Sequence, residues 1–311
     1  MSVSGSPFRG PVLFLTGLTP VRRLVTGTSI GRRVATRFVA GESLDDGLRA
    51  ARELAGRGIA AMLDHLGENV DSAEQASAAA DQYVLALKRI RESETLDCHV
   101  AIKLTQLGLD LGMDLCLENV ERVLVAADET DTYVELDMES HGYVGPTLEV
   151  LRRVRERHRH VGVALQAYLL RTEEDVFRLP EGAPVRLVKG AYLEPAEIAY
   201  QRRGEVDRSF ARLYATLVAR GHPVHLGTHD PRLLAGAARL LERRGISWDG
   251  HEIQMLYGIR RDLQQSFADR GYPVRAYIPY GDEWYPYLTR RMAERPANVW
   301  FFVSNLMRSG G

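Results

Sequence analysis

Eight short runs rich in β-branched and apolar residues recur along this chain, with charged, helix-patterned stretches between them. Few folds accommodate that alternation. The runs cover residues 59–66, 99–104, 133–138, 162–168, 185–188, 223–227, 252–257 and 274–278. Amphipathic stretches over 73–92, 114–128, 147–157, 195–220, 231–244 and 260–270 lie in the intervals. A strand followed by a helix, repeated eight times, closes most economically into a parallel (β/α)8 barrel of the TIM type. An open doubly wound sheet is the alternative. No strand-to-helix turn carries G-x-G-x-x-G, however, and no G-x-x-x-x-G-K-[ST] occurs. No Pro/Gly/Ser-rich linker divides the chain, so one barrel over 58–311 is expected, preceded by a helical N-terminal arm over 1–57.

Within the arm, Ser43 is placed to cap a helix that runs toward Gly58, with Asp45 and Asp46 favouring its positive N-terminus. The apolar run from Pro11 to Leu18 is short and broken by Gly and Pro, so it cannot span a bilayer. Arg22, Arg23, Arg32, Arg33 and Arg37 follow this run rather than precede it, the wrong order for a secretory signal. A transit peptide is the second reading; a pair of short helices packed on the barrel is preferred. A formal net charge of -1 argues against nucleic acid as a partner. Two widely spaced cysteines, Cys98 and Cys116, imply neither a disulfide framework nor a zinc ribbon, and a reduced cytoplasmic compartment is expected.

Barrels of this type carry their chemistry at the carboxyl ends of the strands. Those ends hold Asp64-His65, Lys103, Asp137-Met138-Glu139, Gln166 with Tyr168, Lys189-Gly190-Ala191, Thr228-His229-Asp230, Gln254 with Tyr257, and Tyr277 with Tyr280. One such residue is more often structural than chemical, but the joint pattern describes a loaded barrel mouth. The fifth run also buries Arg186 and Lys189 among aliphatic residues, and each then needs an anionic partner. Asp137 or Glu139 across the barrel would serve, as would a bound ligand. Gly190 and Ala191 would let a bulky cofactor approach the backbone. His251-Glu252 lacks the second histidine of a zincin, so no metal is expected.

After the eighth run, residues 281–296 form a capped helix pattern in which Tyr287, Arg290, Arg291 and Glu294 are related by steps of three or four. Paired arginines beside a tyrosine suit bidentate capture of a carboxylate. Taken alone, the segment reads better as a solvated basic helix.

That segment is also the last of an ordered set of blocks. They are R-F-V-A-G-E (37–42), L-D-H-L-G-E (63–68), I-K-L-T-Q-L-G (102–108), R-L-V-K-G-A-Y (186–192), G-T-H-D (227–230), Q-M-L-Y-G (254–258) and Y-L-x-R-R-x-x-E (287–294). Together, from about residue 37 to 302, they resemble the monofunctional bacterial proline dehydrogenase family. The resemblance implies a distorted (β/α)8 barrel with its last helix over the mouth and FAD across the strand ends. It implies that Arg290, Arg291 and Lys103 hold the proline carboxylate, and that Asp137 and Arg186 are the active-site acid and arginine. Met138, Gln166, Arg186, Lys189, Gly190, Ala191, Thr228, His229 and Glu294 match cofactor-binding positions. Leu256, Tyr277 and Tyr287 match the walls around the proline ring. Leu193, where some relatives have Trp, and His65, in place of an apolar residue or tyrosine, depart from the pattern. The implied activity is oxidation of L-proline to 1-pyrroline-5-carboxylate, with hydride passing to FAD and electrons onward to a quinone. A transient encounter with the inner membrane surface through the N-terminal arginines belongs to that expectation.

Two other classes fit a barrel with these strand ends. One is a Schiff-base lyase or aldolase using Lys103 or Lys189, whose amine would need a depressed pKa. The other is a non-catalytic amino-acid-binding barrel.

Overall fold

The structure is a computed structural model that describes residues 37–67, 70–93 and 96–287. Most of the expected N-terminal arm, and the final-helix residues Arg290, Arg291 and Glu294, lie outside the described residues. Eight parallel strands close in chain order into a barrel. They are β1 (Ala60–His65), β2 (Cys98–Ile102), β3 (Val134–Leu136), β4 (Val161–Gln166), β5 (Val185–Val188), β6 (Val224–Gly227), β7 (Glu252–Leu256) and β8 (Val274–Tyr280). Closure comes from β1 pairing with β8, Ala60 opposite Arg275 through His65 opposite Tyr280.

Helix α1 (Leu44–Ala55) precedes the barrel, and its Ser43 cap is the expected one. Ser43 Oγ accepts from Asp46 N at 3.2 Å while Ser43 N donates to the Asp46 carboxylate at 3.1 Å. The crossovers are α2 (Ala73–Arg91), α3 (Met113–Thr130), α4 (His141–Val154), α5 (Thr172–Asp175), α6 (Arg203–Ala219), α7 (Pro231–Arg244) and α8 (Arg261–Ala268). Helix α5 lies where the sequence shows no amphipathic stretch, and two others depart from the pattern in their bounds. Helix α4 starts earlier than its apolar periodicity, at His141, and carries Pro146 inside it at the sixth position, where the ring removes one intrahelical hydrogen bond without ending the helix. Helix α6 starts later, since residues 195–202 turn back over β4 and Tyr200 N donates to Tyr168 O at 2.8 Å.

Outward-facing strand residues such as Leu63, Val100, Leu136, Leu187, Leu226 and Ile253 are sealed beneath the helices. The barrel interior is unlike that apolar shell. Met62, Glu135, Arg186 and Gln254 come from β1, β3, β5 and β7 and meet in one layer, the alternate-strand arrangement of such barrels. Arg186 touches the other three. Beneath it, Tyr133 fills the space that β4 leaves at Gly162, where a Cβ would fall on the tyrosine hydroxyl.

In the outer helical layer, the buried His158 joins α3 to the end of α4, with Nδ1 at 2.5 Å from Asp128 and Nε2 at 2.9 Å from Glu121. Burial pulls this imidazole down, but the two carboxylates outweigh it and raise its pKa. The folded state therefore holds the proton more tightly than the unfolded chain. This stabilisation is complete below about pH 6.5 and is lost as pH rises through the raised value. His158→Gln is expected to lower the melting temperature more at pH 6 than at pH 9. The gap should be about 2–4 °C, the size of a roughly 1 kcal/mol change in a large domain. Calorimetry at the two pH values checks it.

Candidate active site

Four strands deliver charge to one point at the barrel mouth. Asp64, the fifth residue of β1, and Lys103, just past β2, pair at 2.5 Å. Asp137, just past β3, stands 3.5 Å from the same Lys103 nitrogen. Its other oxygen accepts from Arg186 Nη1. Tyr277 on β8 donates its hydroxyl to Asp137 at 2.6 Å, and its ring lies 5.1 Å from the Arg186 guanidinium carbon. Asp64, Lys103, Asp137 and Arg186 are buried and Tyr277 is half-buried, so each interaction is stronger than it would be in bulk water.

The electrostatics divide the two carboxylates. Burial pushes Asp137 upward, but Arg186 and Lys103 outweigh it and hold the carboxyl below its ordinary value. Burial also raises Asp64, and Lys103 only partly opposes this while Asp137 adds to it, leaving Asp64 at about 6. Burial pushes Lys103 down, yet Asp64, Tyr277 and Asp137 outweigh it and keep it charged well above the ordinary lysine range. Tyr277 is raised well above its usual range by burial and by the two aspartates, so it remains a donor. The mouth thus presents a fixed cation, a fixed carboxylate and a second carboxylate poised near 6.

The opposite arc, from β3 to β7, supplies the other expected positions. Met138 is buried, and Gln166 Nε2 donates to the Glu139 carbonyl at 2.8 Å, tying β4 to the β3 loop. The Glu139 side chain in turn accepts from the Thr105 hydroxyl at 2.8 Å. Lys189 Nζ lies 2.5 Å from Asp207 and 3.1 Å from Asp230, so its partners are these residues and not Asp137 or Glu139. The reason is placement: Lys189 has left the strand and points over the rim toward α6 and α7. Asp230 serves twice, since it also caps α7 through Arg232 N at 3.1 Å. Arg203 reaches Asp230 at 3.1 Å from the same side. His229 Nε2 accepts from Leu256 N at 3.0 Å, which places the ring proton on Nδ1.

Gly190 adopts φ +117, and a Cβ there would strike the Tyr168 ring. The glycine is therefore required by a protein neighbour as well as by any approaching ligand. Just beyond it, Leu193 is 60% exposed and Tyr192 37%, while Leu170 after β4 is 41% exposed. Exposed apolar groups beside the Lys189 strand end offer a surface that a flat aromatic group would cover.

The structure thus brings Lys103, Asp137, Arg186 and Tyr277 into one cluster, with Leu256 at the end of β7 next to His229. Tyr287 is buried at the start of the last helical segment. Thr228 accepts from Asp230 N at 3.2 Å, shaping the β6 turn. Sequence reasoning placed Asp64 and Gln254 at strand ends but assigned them no part, and it passed over Glu135. Their signal was present only as charged or amide residues at inward positions of alternating strands.

The family profile described as proline dehydrogenase matches residues 47–303 of this chain. "Proline dehydrogenase 2" of Bacillus subtilis is 38% identical over 280 residues, covering 89% of this chain and 92% of the relative. "Proline dehydrogenase" of Deinococcus radiodurans is 41% identical over 281 residues, covering 88% and 90%. Among solved structures, proline utilization A (PutA) from Bdellovibrio bacteriovorus inactivated by N-propargylglycine superposes with a TM-score of 0.81 at 25% identity. That match takes in 92% of this chain and 36% of the PutA chain, so this chain spans about a third of that longer protein.

Proposed function

The chain belongs to the proline dehydrogenase family and oxidises proline as the first step of its breakdown, and we propose that the barrel mouth is where it does so, with FAD as resident cofactor. The observation that carries the siting is Lys103. It is a buried ammonium held charged between Asp64 and Asp137 at a strand end, the position of an anchor for a small carboxylate. Arg290 and Arg291, outside the described residues, join it in this reading. Leu256, Tyr277 and Tyr287 form the walls around the ring of L-proline. Met138, Gln166, Lys189, Gly190, Ala191, Thr228, His229 and Glu294 hold the cofactor.

Bound there, FAD supplies a two-electron acceptor for the hydride leaving the carbon next to the ring nitrogen. The chain's own work is positional and electrostatic. Lys103 fixes the carboxylate and with it the carbon that reacts. Asp137 and Arg186 are the acid and arginine of the reaction centre, with Asp137 keeping Arg186 and the Tyr277 hydroxyl in a single orientation. The buried walls keep water from the cyclic imine product, 1-pyrroline-5-carboxylate. A quinone would be the electron acceptor in this reading. Among the described residues no helix is long and apolar enough to cross a membrane. The same electrostatics speak against a Schiff-base role. Lys103 is pushed well above its usual pKa, the wrong direction for a nucleophile, and Lys189 is held by two carboxylates.

The visible spectrum tests this reading. The purified chain is expected to be yellow, to release FAD on heating, and to be bleached by L-proline. A soluble quinone analogue should restore the colour and NAD should not. A colourless chain that FAD cannot reconstitute would sink the proposal.

A further inference from the structure

A single line of hydrogen bonds runs up the barrel axis from its floor to the mouth. At the floor, Arg275 Nη1 donates to Asp97 Oδ1 at 2.9 Å, and this aspartate side chain is 67% exposed. Arg275 Nε donates to Glu252 Oε1 at 2.9 Å. Gln254 Nε2 donates to that carboxylate at 2.6 Å, and Gln254 Oε1 accepts from Arg186 Nε at 2.7 Å. Arg186 then donates through Nη1 to Asp137. Glu252, Gln254, Arg275 and Arg186 are all buried.

The central amide can face only one way. A guanidinium offers donors alone and a carboxylate offers acceptors alone, so the amide oxygen must meet Arg186 and the amide nitrogen must meet Glu252. Glu252 thereby fixes the rotamer of Gln254, and Gln254 fixes the Nε edge of Arg186. At Gly227 an added Cβ would fall 2.6 Å from Val188 Cγ1, so the glycine is required by its strand neighbour, while Arg186 Cγ at 3.5 Å is at ordinary contact distance. A neutral acceptor at this point matters as much as the geometry. It satisfies Nε without adding a second carboxylate beside Glu135, which already lies 3.7 Å from that nitrogen, so more of the guanidinium charge remains directed at Asp137 and the mouth. A carboxylate in the same place would draw that charge toward the floor.

The geometry points to Gln254 as a positioning residue for proline oxidation, a neutral relay, oriented by Glu252, that aims Arg186 at Asp137 and the cofactor. This deepens the function proposed above and rests on it. Two variants separate aim from mere packing. Gln254→Leu removes the relay. The double exchange Glu252→Gln with Gln254→Glu keeps the line unbroken and the net charge unchanged. Arg275 would donate to the introduced amide, that amide to the introduced carboxylate, and Arg186 to the carboxylate from the other side. Only the site of the negative charge moves, one step nearer the mouth.

For the exchange, the flavin-free chain is expected to melt near the wild-type temperature and to bind FAD in a fluorescence titration. The midpoint potential of its bound flavin should shift to more negative values. Flavin reduction at saturating proline should fall by roughly ten- to a hundredfold, the range of one charge-assisted hydrogen bond. Gln254→Leu should lose a similar factor. Wild-type potential and rate in the exchange variant would overturn the inference, because satisfied hydrogen bonds alone would then suffice. Unfolding of both variants would also overturn it, placing Gln254 in the fold rather than in the reaction. A wild-type chain that proline does not reduce sinks the functional reading itself, and that outcome is visible before any variant is made.

Discussion

Arg186→Met is expected to lower the melting temperature by about 6–20 °C and to leave no measurable reduction by proline. The stability loss follows from what the arginine faces. Asp137 accepts from its Nη1, Glu135 lies 3.7 Å from its Nε, and Gln254 accepts at 2.7 Å. Glu135 is fully buried, and without the guanidinium its remaining basic neighbour among the described residues is His225 at 3.2 Å. Removing one member of a buried ion pair strands its partners and costs roughly 3–5 kcal/mol. In a large domain each kcal/mol lowers the melting temperature by about 2–4 °C. Methionine preserves much of the stem volume, so a cavity is not the cause. Thermal melting followed by circular dichroism decides the first part. A drop under about 3 °C, less than 1 kcal/mol allows for here, would mean that the carboxylates in this layer do not depend on the arginine. Proline titration of the flavin spectrum decides the second part.

Asp137→Asn should separate function from stability in the opposite direction. Its removal leaves Lys103 paired with Asp64 at 2.5 Å and Arg186 near Glu135 and Gln254, so no buried charge is stranded. The melting temperature is expected to fall by only a few degrees, in line with roughly 1–2 kcal/mol for lost hydrogen bonds. Turnover should nevertheless fall on the order of a hundredfold. If the asparagine oxygen faces Arg186, its amide nitrogen points toward Lys103 and Tyr277, both donors in the native arrangement. Lys103 is then driven toward Asp64 and away from the substrate carboxylate.

A pH signature accompanies this loss. Asp64 sits at about 6, and Asp137 is one of the groups that raise it. Neutralising Asp137 must lower the Asp64 pKa, so an acid limb that begins near pH 6 should move to lower pH in Asp137→Asn. Rates measured from about pH 5 to 9 check the sign. A limb that stays in place would mean that Asp64 does not govern it.

The strand positions were legible because each run is short, β-rich and bounded by a helix pattern, and parallel strands buried on both faces have that texture. The Ser43 cap was legible for a local reason, since capping needs only residues within one helical turn. Residue types at the mouth were legible too. Lys103, Asp137 and Tyr277 each lie at or just beyond the carboxyl half of a strand, where the sequence pattern put them. Helix starts were read less well at α4 and α6, where a tolerated proline and a returning loop overrode the apolar period.

What only the tertiary structure decided is who meets whom. Arg186 bonds residues 49, 68 and 124 positions away, and Tyr277 reaches back 140 residues to Asp137. Those distances in sequence carry no periodic signal, because they depend on which alternate strands share a layer after the barrel closes. Lys189 shows the same limit from the other side. Its need for anions followed from its strand, but its direction over the rim toward Asp207 and Asp230 came from α6 and α7. Local chemistry determined the elements and the charges they carry; the closure of eight strands determined which of those charges compensate one another inside the barrel.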